Sequence, residues 1–250
     1  MNTMHLLLLS ENGKKYIVQA TGGMQKVSGL GVVDTDFLMK TKIGDVVKLF
    51  GEKYIVLQPE PSDYIELIKR KTQIILPKDS GYIITKCGIA SGKKICEIGV
   101  GVGGLTIFLA FIVGKTGKIF GYEKRKEHIQ EAKKNLGVLG LEGIVEFFEQ
   151  DAEHGIPQRE LDAVVCDIPE PWKIMRHIRE ALRNGSWCAC YLPTYNQVER
   201  TVLEMQKEEF REIECVELLL RRIVVAENAV RPDFSMLGHT GFLVFGRKIS

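Results

Sequence analysis

The chain has 250 residues, of which 45% are hydrophobic and 26% are charged, and its formal net charge is +2. No apolar run approaches the roughly 18 residues that a membrane-spanning helix needs. The apolar run at residues 6–9 is too short for a signal peptide and has no basic leader. We therefore expect a soluble, cytoplasmic enzyme. A charge this small neither requires nor excludes nucleic acid as a partner, because local patches decide such binding.

The first sixty residues are rich in short β-prone runs separated by glycine turns. These runs lie at residues 16–18, 32–33, 46–50 and 54–57. Pro59-Glu60-Pro61-Ser62 then interrupts the chain, and residues 63–70 have the apolar spacing of an amphipathic helix. The sequence predicts a small β-rich domain at residues 1–62 and a second domain at residues 63–250.

From about Thr85 onward, strand patterns alternate with helix patterns. This alternation is typical of an α/β fold in which a parallel sheet is covered by helices on both faces. Helices are predicted at residues 105–113, 126–136, 172–182 and 197–209. Strands are predicted at residues 94–96, 118–122, 144–148, 163–166, 186–192, 213–220 and 241–245.

The six cysteines form no Cys-x-x-Cys pair and have no histidine close by in the sequence. A zinc site is therefore not expected, and neither is any other metal. Several of the six lie inside apolar strand patterns, where cysteine acts as a small buried side chain. They are Cys87, Cys96, Cys166, Cys188, Cys190 and Cys215.

Residues 97–104 read Glu-Ile-Gly-Val-Gly-Val-Gly-Gly, between a predicted strand and a predicted helix. Glycine lets a ligand approach the backbone closely, and the helix that follows offers free N–H groups. The next predicted strand ends at Glu123, twenty residues after Gly103. A carboxylate at this spacing can hold the ribose hydroxyls of a nucleotide cofactor. The pattern predicts a cofactor-binding loop.

Three interpretations of this loop are possible, because Gly99, Gly101 and Gly104 also fit the dehydrogenase pattern and glycine clusters also form plain turns. Glu97 would repel the pyrophosphate of a nicotinamide cofactor. S-adenosylmethionine instead presents an ammonium and a sulfonium, which tolerate an acid. Asp151, after the next strand, could accept a hydrogen bond from an adenine amino group. These carboxylates favour a methyl-donor site over a nicotinamide site or a structural turn.

Residues 162–172 carry the best catalytic candidate, Asp167, at the end of the fourth predicted strand. Ligands of open α/β sheets bind at the carboxyl ends of strands, so Asp167 should face the same crevice as the glycine loop. Pro169 and Pro171 would keep the segment extended. The alternative is an aspartate that only caps a turn or helix.

Five segments together resemble the tRNA (adenine-N1)-methyltransferases of the archaeal and bacterial single-subunit type. They are Thr-Gln-Ile-Ile-Leu-Pro-Lys-Asp at 72–79, the glycine loop, Asp-Ile-Pro-Glu-Pro-Trp at 167–172, Arg231-Pro232 and Gly-His-Thr-Gly-Phe-Leu at 238–243. The resemblance implies a class I, Rossmann-like fold that uses S-adenosylmethionine. It also implies N1 methylation of adenosine 58, and in some members 57, in the T loop of tRNA by a homotetramer.

The resemblance also implies roles for individual residues. Asp167 would be catalytic. Arg231 and His239 are expected to contact the substrate because of their own chemistry. The residues implied to bind the cofactor are Ile75, Gly99, Gly101, Val102, Gly103, Gly104, Glu123, His128, Asp151, Ala152 and Asp167. Three positions depart from the family pattern: Val100 and Val102 of the loop stand where the family usually has threonine and serine, and Ile223 replaces a frequent tryptophan.

The expected chemistry needs no covalent nucleophile. A carboxylate that accepts from the exocyclic amino group of adenine would orient N1, stabilise the growing positive charge and help a proton to leave. Phosphate contacts are expected from residues 69–71, Lys78, residues 221–222 and Arg231. His239 could stack on a base or pack, and for Tyr195 packing is favoured. A methyltransferase of proteins or small molecules, and a non-catalytic tRNA-binding subunit, are the alternatives.

Overall fold

The computed structural model describes residues 4–68 and 74–250. The N-terminal part contains the strands β1 (Met4–Ser10), β2 (Lys15–Ala20), β3 (Met24–Val27), β4 (Gly31–Asp34), β5 (Val46–Leu49) and β6 (Glu52–Leu57), with a short helix α1 (Thr35–Leu38) after β4. Four strands form an antiparallel sheet in the order β2-β1-β6-β5, and β3 pairs with β4. Leu6, Leu8, Val18 and Val56 are among the residues of its own apolar core.

The four β-prone runs all lie in or overlap strands, which confirms the β-rich N-terminal region. The central strand β1 was not predicted, because its four consecutive leucines lack the alternation of a half-buried strand. β1 pairs with β2 on one side and β6 on the other, and Leu6, Leu7 and Leu8 are all buried. A strand buried on both faces has a continuous apolar run.

Helix α2 (Pro61–Leu67) follows, two residues earlier than the predicted helix at 63–70. Lys15 on β2 binds both Asp63 and Glu66, with Nζ to oxygen distances of 2.8 and 2.9 Å. α2 is therefore tied to the N-terminal sheet across the expected boundary, and a division at residue 62 remains our proposal. The end of the predicted helix and the basic residues 69–71 lie outside the described residues.

The second part contains the elements of a larger sheet. Its helices are α3 (Pro77–Lys86), α4 (Gly104–Val113), α5 (Lys126–Gly137), α6 (Met175–Ala181) and α7 (Tyr195–Lys207). Its strands are β7 (Lys94–Ile98), β8 (Lys118–Glu123), β9 (Val145–Glu149), β10 (Leu161–Cys166), β11 (Leu182–Leu192), β12 (Arg211–Glu217), β13 (Ile223–Ala226), β14 (Ala229–Pro232) and β15 (Phe242–Arg247). Short 3₁₀ turns lie at Glu142–Ile144, Ala152–His154 and Pro171–Ile174.

Seven strands form one sheet in the order β12-β15-β11-β10-β7-β8-β9. Strands β7 to β11 are parallel, and β15 runs antiparallel between β11 and β12. The chain leaves β7 towards β8 and β9, then returns to the other side of β7 as β10. The order therefore reverses between β7 and β10, and such a switch point is where ligands bind in open α/β sheets.

Buried side chains of the sheet alternate between two apolar layers. Ala163 and Val165 of β10 belong to the layer covered by α3, α4 and α5, whereas Val164 and Cys166 belong to the layer covered by α6 and α7. Helices thus cover both faces of the sheet, which confirms the predicted α/β class. Five of the six cysteines are buried as expected, and Cys215 is exposed.

The predicted elements from 94 to 166 agree with the structure to within about two residues at most boundaries. The predicted helix at 172–182 is divided into a 3₁₀ turn and the shorter α6, because Pro171 begins a separate turn. Helix α3 and the β13–β14 hairpin were not predicted. None of the helices found in residues 4–68 and 74–250 is long and apolar enough to cross a membrane.

Candidate active site

A cleft of about 530 Å³ opens at the carboxyl ends of the central strands. Each parallel strand contributes the residues that follow it. The cleft residues include Gly99 and Gly101 after β7, Glu123 at the end of β8, Asp151 after β9, Asp167 after β10 and Pro193 after β11. The sequence prediction that the glycine loop and Asp167 share one crevice is therefore confirmed.

The glycines of the loop are required by close backbone approaches. Gly99 has a φ of +88°, and a Cβ there would lie 2.1 Å from the carbonyl oxygen of Asp167. Gly103 has a φ of +87° and caps α4, and a Cβ there would lie 3.2 Å from the Cβ of Ala132 on α5. Larger residues at these positions would push the loop away from β10 and α5. The loop therefore holds the segment of Asp167 against the end of β7.

Glu123 is buried, and its carboxylate accepts a hydrogen bond from the backbone of the glycine loop. Its Oε2 accepts the N–H of Gly101 at 3.0 Å, and its Oε1 accepts the N–H of Arg125 at 2.9 Å. Burial alone would raise the pKa of Glu123, but these two N–H groups, together with the charges of His128 and Arg125, lower the pKa below its usual value. Glu123 is therefore ionised at neutral pH, ready to accept hydroxyl donors at the cleft.

His128 lies behind Glu123, with 3.6 Å between His128 Nδ1 and Glu123 Oε2. This distance is too long for a hydrogen bond. His128 is buried on α5 and does not form part of the cleft wall, so a contact with a cofactor would have to pass through Glu123.

Asp151 and Ala152 line the cleft beside Glu123. The Asp151 carboxylate caps the 3₁₀ turn by accepting the N–H of Glu153 at 3.0 Å, and it also binds Lys124 Nζ at 2.9 Å. The N–H of Glu153 and then Lys124 lower the pKa of Asp151. This side of the cleft therefore has two ionised carboxylates, which suit hydroxyl and amino donors and not a pyrophosphate.

A smaller pocket beneath the loop connects the cleft to a buried acid. It is lined by Ile75, Val102, Gly104 and Glu97, among others. Glu97 is 2% exposed, and its Oε2 has no hydrogen-bond partner in residues 4–68 and 74–250. Burial, together with the charges of Asp167 and Glu123, raises the pKa of Glu97 to about 8. An acid held in this way is a suitable neighbour for a positively charged group.

Asp167 is half-buried and directs an uncommitted carboxyl to the cleft. Its N–H donates to the carbonyl of Ile98 at 2.8 Å, so its backbone is fixed to β7. Within the described part of the chain, no hydrogen bond to its carboxyl is formed, which does not support the turn-capping alternative. Burial, followed by the charge of Glu123, raises the pKa of Asp167 to about 7. A group with this pKa exchanges a proton readily at neutral pH.

The two predicted substrate residues lie outside the cleft wall. Arg231 is on the exposed β14, with its guanidinium 4.2 Å from the ring centre of Phe234. His239 uses both ring nitrogens: Nδ1 lies 2.6 Å from Glu217 Oε1, and Nε2 lies 2.9 Å from the carbonyl of Pro193. Glu217 and then Pro193 raise the pKa of His239. Their roles in binding a substrate stay predictions.

Lys78, predicted to contact phosphate, is held inside the protein instead. Its Nζ binds the fully buried Asp79 at 2.7 Å and Thr240 Oγ1 at 2.8 Å. This contact joins the start of α3 to the 238–243 segment. Lys78 therefore has a structural role, because its charge is neutralised by a buried carboxylate.

Several cleft residues were not predicted from the sequence. They include Arg125, Gln150, Ile168, Tyr191 and Gln197. Tyr191 is buried, and its hydroxyl donates to the carbonyl of Thr240. Each of these residues lies within a few positions of the end of a parallel strand, and this placement is the signal that could have identified them.

The strand order, the glycine loop and the carboxylates at the ends of β8 and β9 define an S-adenosylmethionine-dependent methyltransferase fold. Residues 53–232 match the family model described as "tRNA methyltransferase complex GCD14 subunit", and the chain belongs to this family. Among the described residues, no group of three or more potential metal ligands occurs.

Individual relatives cover nearly the whole chain. A tRNA (adenine(57)-N(1)/adenine(58)-N(1))-methyltransferase of Methanocaldococcus jannaschii is 32% identical, over 96% of this chain and 94% of the relative. A structure from Thermotoga maritima, described as an SAM-dependent O-methyltransferase, has a TM-score of 0.90 and 32% identity, over 100% of this chain and 94% of the other. The tRNA (m1A58) methyltransferase of Aquifex aeolicus has a TM-score of 0.80 and 30% identity, over 100% and 98%.

Proposed function

We propose that the chain transfers a methyl group from S-adenosylmethionine to N1 of adenosine in the T loop of tRNA. The observation that carries this proposal is the carboxyl of Asp167 at the cleft, which forms no hydrogen bond within residues 4–68 and 74–250 and belongs to a residue whose backbone carbonyl lies against Gly99 of the glycine loop. Family membership and relatives named for adenine 58, or for 57 and 58, support the substrate. The target is therefore adenosine 58, with 57 as a second site to be tested. We also propose that the enzyme acts in the cytoplasm.

The residues around the loop fit S-adenosylmethionine. The Oε2 of Glu97, which has no hydrogen-bond partner among the described residues, suits a cationic group, and the ionised Glu123 and Asp151 suit ribose hydroxyls and an adenine amino group. Gly99, Gly101, Gly103 and Gly104 with Ile75 and Val102 would surround the methionine part, and Ala152 the adenine. When bound, S-adenosylmethionine supplies an electrophilic methyl group on a positively charged sulfur.

Asp167 has the properties that methylation of the acceptor adenine requires. Adenine N1 is hidden by pairing or stacking in folded RNA, so the nucleotide must leave its stack before it can react. A carboxylate that accepts from the exocyclic N6 amino group orients N1 towards the cleft. As N1 gains positive charge, the same carboxylate stabilises it and can take a proton from N6. The pKa of about 7 allows Asp167 to be ionised beforehand and to accept that proton afterwards.

We expect Glu123→Ala to weaken binding of S-adenosylmethionine by about tenfold or more, since one or two charge-assisted hydrogen bonds to ribose are worth about 1.5–3 kcal/mol. The variant also releases the N–H groups of Gly101 and Arg125, which loosens the loop. Calorimetric titration measures the affinity, and Glu153→Ala is the control, because Glu153 lines the cleft rim and its side chain pairs with Lys173 at 3.7 Å. Equal losses in both variants would contradict a specific role for Glu123.

The test of the proposed function is incubation of the purified protein with labelled methyl donor and an unmodified tRNA transcript. Nucleoside mapping should find 1-methyladenosine at position 58, and transcripts altered at 57 or 58 show whether one or both are modified. Transfer to proteins or small molecules, but not to tRNA, would favour another methyltransferase, an alternative suggested by the description of the Thermotoga neighbour. Binding of tRNA without transfer would indicate a non-catalytic subunit.

We also propose that the active form is a homotetramer. The β13–β14 hairpin is separate from the large sheet and exposes apolar side chains, with Val225 74% and Val230 69% exposed. A lone two-stranded hairpin is marginal in water, and apolar patches of this kind mark protein interfaces. Closed symmetry would bring hairpins and basic patches of neighbouring copies together to receive one tRNA.

Light scattering should therefore give a mass near four times 28.1 kDa. Val225→Lys with Val230→Lys should reduce this mass and weaken tRNA binding, because a charge opposes burial of the hairpin. Val32→Lys, at an exposed apolar position on the other hairpin, is the control. A monomer that methylates tRNA at the full rate would refute the shared site and leave the methyltransferase assignment intact.

A further inference from the structure

Tyr195 is an exposed aromatic residue directly beside the cleft. It is the first residue of α7 and is 73% exposed, although large aromatic rings are normally buried. Its neighbours Pro193 and Gln197 both line the cleft. The ring of Tyr195 leans on Phe242, with 4.4 Å between the ring centres and 38° between the ring planes. The position, the exposure and the contact with Phe242 together need an explanation.

The support beneath Tyr195 is rigid. Phe242 is buried at the start of β15 and pairs with Leu192 on one side and Glu217 on the other. His239 packs on Phe242 as well, with 4.7 Å between ring centres, and is itself held by Glu217 and the carbonyl of Pro193. The position of Phe242 is therefore fixed by its two neighbouring strands and by the ring of His239. Tyr195 therefore packs on a fixed aromatic ring and exposes the rest of its own ring to solvent at the mouth of the cleft.

This arrangement fits a flat, aromatic ligand. Nucleobases present a π-face whatever their sequence, and proteins bind unstacked bases by stacking them on such rings. A nucleotide that enters the cleft must unstack from its neighbours, which leaves an adjacent base without a partner. We propose that Tyr195 stacks on a base adjacent to the target adenosine and so sets the affinity for the RNA. This inference rests on the proposed function and assigns its substrate contact.

The experiment compares Tyr195→Ala, Tyr195→Leu and Tyr195→Phe in the full chain with a tRNA transcript. Stacking energies of about 1–3 kcal/mol per base correspond to a change of about 5- to 150-fold in affinity. The Ala and Leu variants should raise KM for tRNA by a factor in this range, with kcat and the affinity for S-adenosylmethionine changed less than about twofold, as expected when uniform binding is lost. Tyr195→Phe should retain the wild-type KM.

Leu separates stacking from packing, because it still covers Phe242 but offers no π-face. A wild-type KM in Tyr195→Leu would overturn the inference, and so would a lowered melting temperature that accounts for the losses. A change in oligomer mass in the Ala variant, with unchanged KM, would show a protein contact instead. Phe111→Ala is the control, since Phe111 is 53% exposed near the end of α4 that lies away from the cleft.

A second measurement is independent of turnover. The fluorescent base 2-aminopurine is placed in turn at each position that flanks the target adenosine. Wild-type protein and Tyr195→Phe should quench it on binding at one position, and Tyr195→Leu should not. If the wild type binds tRNA without methylating it, the proposed function fails and the quenching still tests Tyr195. If the wild type methylates tRNA but quenching is the same in all variants, only the stacking role fails.

Discussion

Replacing Asp167 by Ala is expected to lower kcat by about 10²- to 10⁴-fold, the range for a positioned acid/base group. The fold and the binding of S-adenosylmethionine should be kept, because the backbone N–H of Asp167, and not its carboxyl, is bonded to β7. Asp167→Asn should be similarly impaired, because an amide cannot take up the proton. Single-turnover assays with saturating tRNA measure the step directly. If both variants react at nearly the wild-type rate, Asp167 is not the catalytic group.

The catalytic role of Asp167 also predicts how activity changes with pH. The pKa of Asp167 is about 7, raised by burial and by Glu123, and the ionised form is the one that can accept from the amino group. Activity measured as kcat/KM should therefore rise with pH through a midpoint near 7 and fall as the carboxyl is protonated below it. Asp167→Asn should not show this rise of kcat/KM with pH. Glu170→Gln is the control, since Glu170 also lines the cleft but is paired with Lys173 at 2.5 Å.

Gly99→Ala is expected to abolish most of the activity by moving Asp167. The new Cβ would lie 2.1 Å from the carbonyl oxygen of Asp167, so one of the two segments must shift by about 1 Å, and a displacement of that size can cost about 10²-fold in rate. The positive φ adds about 1–2 kcal/mol of destabilisation. Turnover measures the displacement of Asp167, and denaturant unfolding of the same preparation measures the loss of stability.

The matched control for Gly99 is Gly51→Ala. Gly51 has a φ of +85°, almost the same as Gly99, but no atom of residues 4–68 and 74–250 lies within 4 Å of its added Cβ. This variant should show the loss of stability that comes from the backbone alone and keep its activity. If Gly51→Ala and Gly99→Ala are equally active, the contact between the loop and Asp167 is unimportant for catalysis.

The sequence predicted best the elements whose side chains follow a regular period. Strands β8 and β10 and helices α4 and α5 have clear apolar patterns and were found almost within their bounds. Strand β1 was missed because it is buried on both faces and therefore does not alternate. Helix α3 contains Gly81 and few apolar residues, and its position depends on the buried pair of Lys78 with Asp79, which only the folded chain brings to Thr240.

The candidate site was predictable where a role depends on position along the chain. Gly99, Glu123, Asp151 and Asp167 all follow parallel strands, and the structure brings them to one cleft. Contacts between distant segments were not predictable. The bond from Gly101 to Glu123 depends on the distance between the glycine loop and the end of β8, and the contact of Tyr195 with Phe242 depends on how α7 lies against β15.

The buried Glu97 links the pocket to the stability of the whole fold. Its pKa is about 8 in the folded chain against 4.5 for an ordinary glutamate, so between these values the folded state holds a proton that the unfolded state has released. Stability contributed by this group is therefore greatest in acid and decreases as the pH rises towards 8. A cation bound beside Glu97 would favour the ionised carboxylate, so binding of such a cation should release the proton that Glu97 holds.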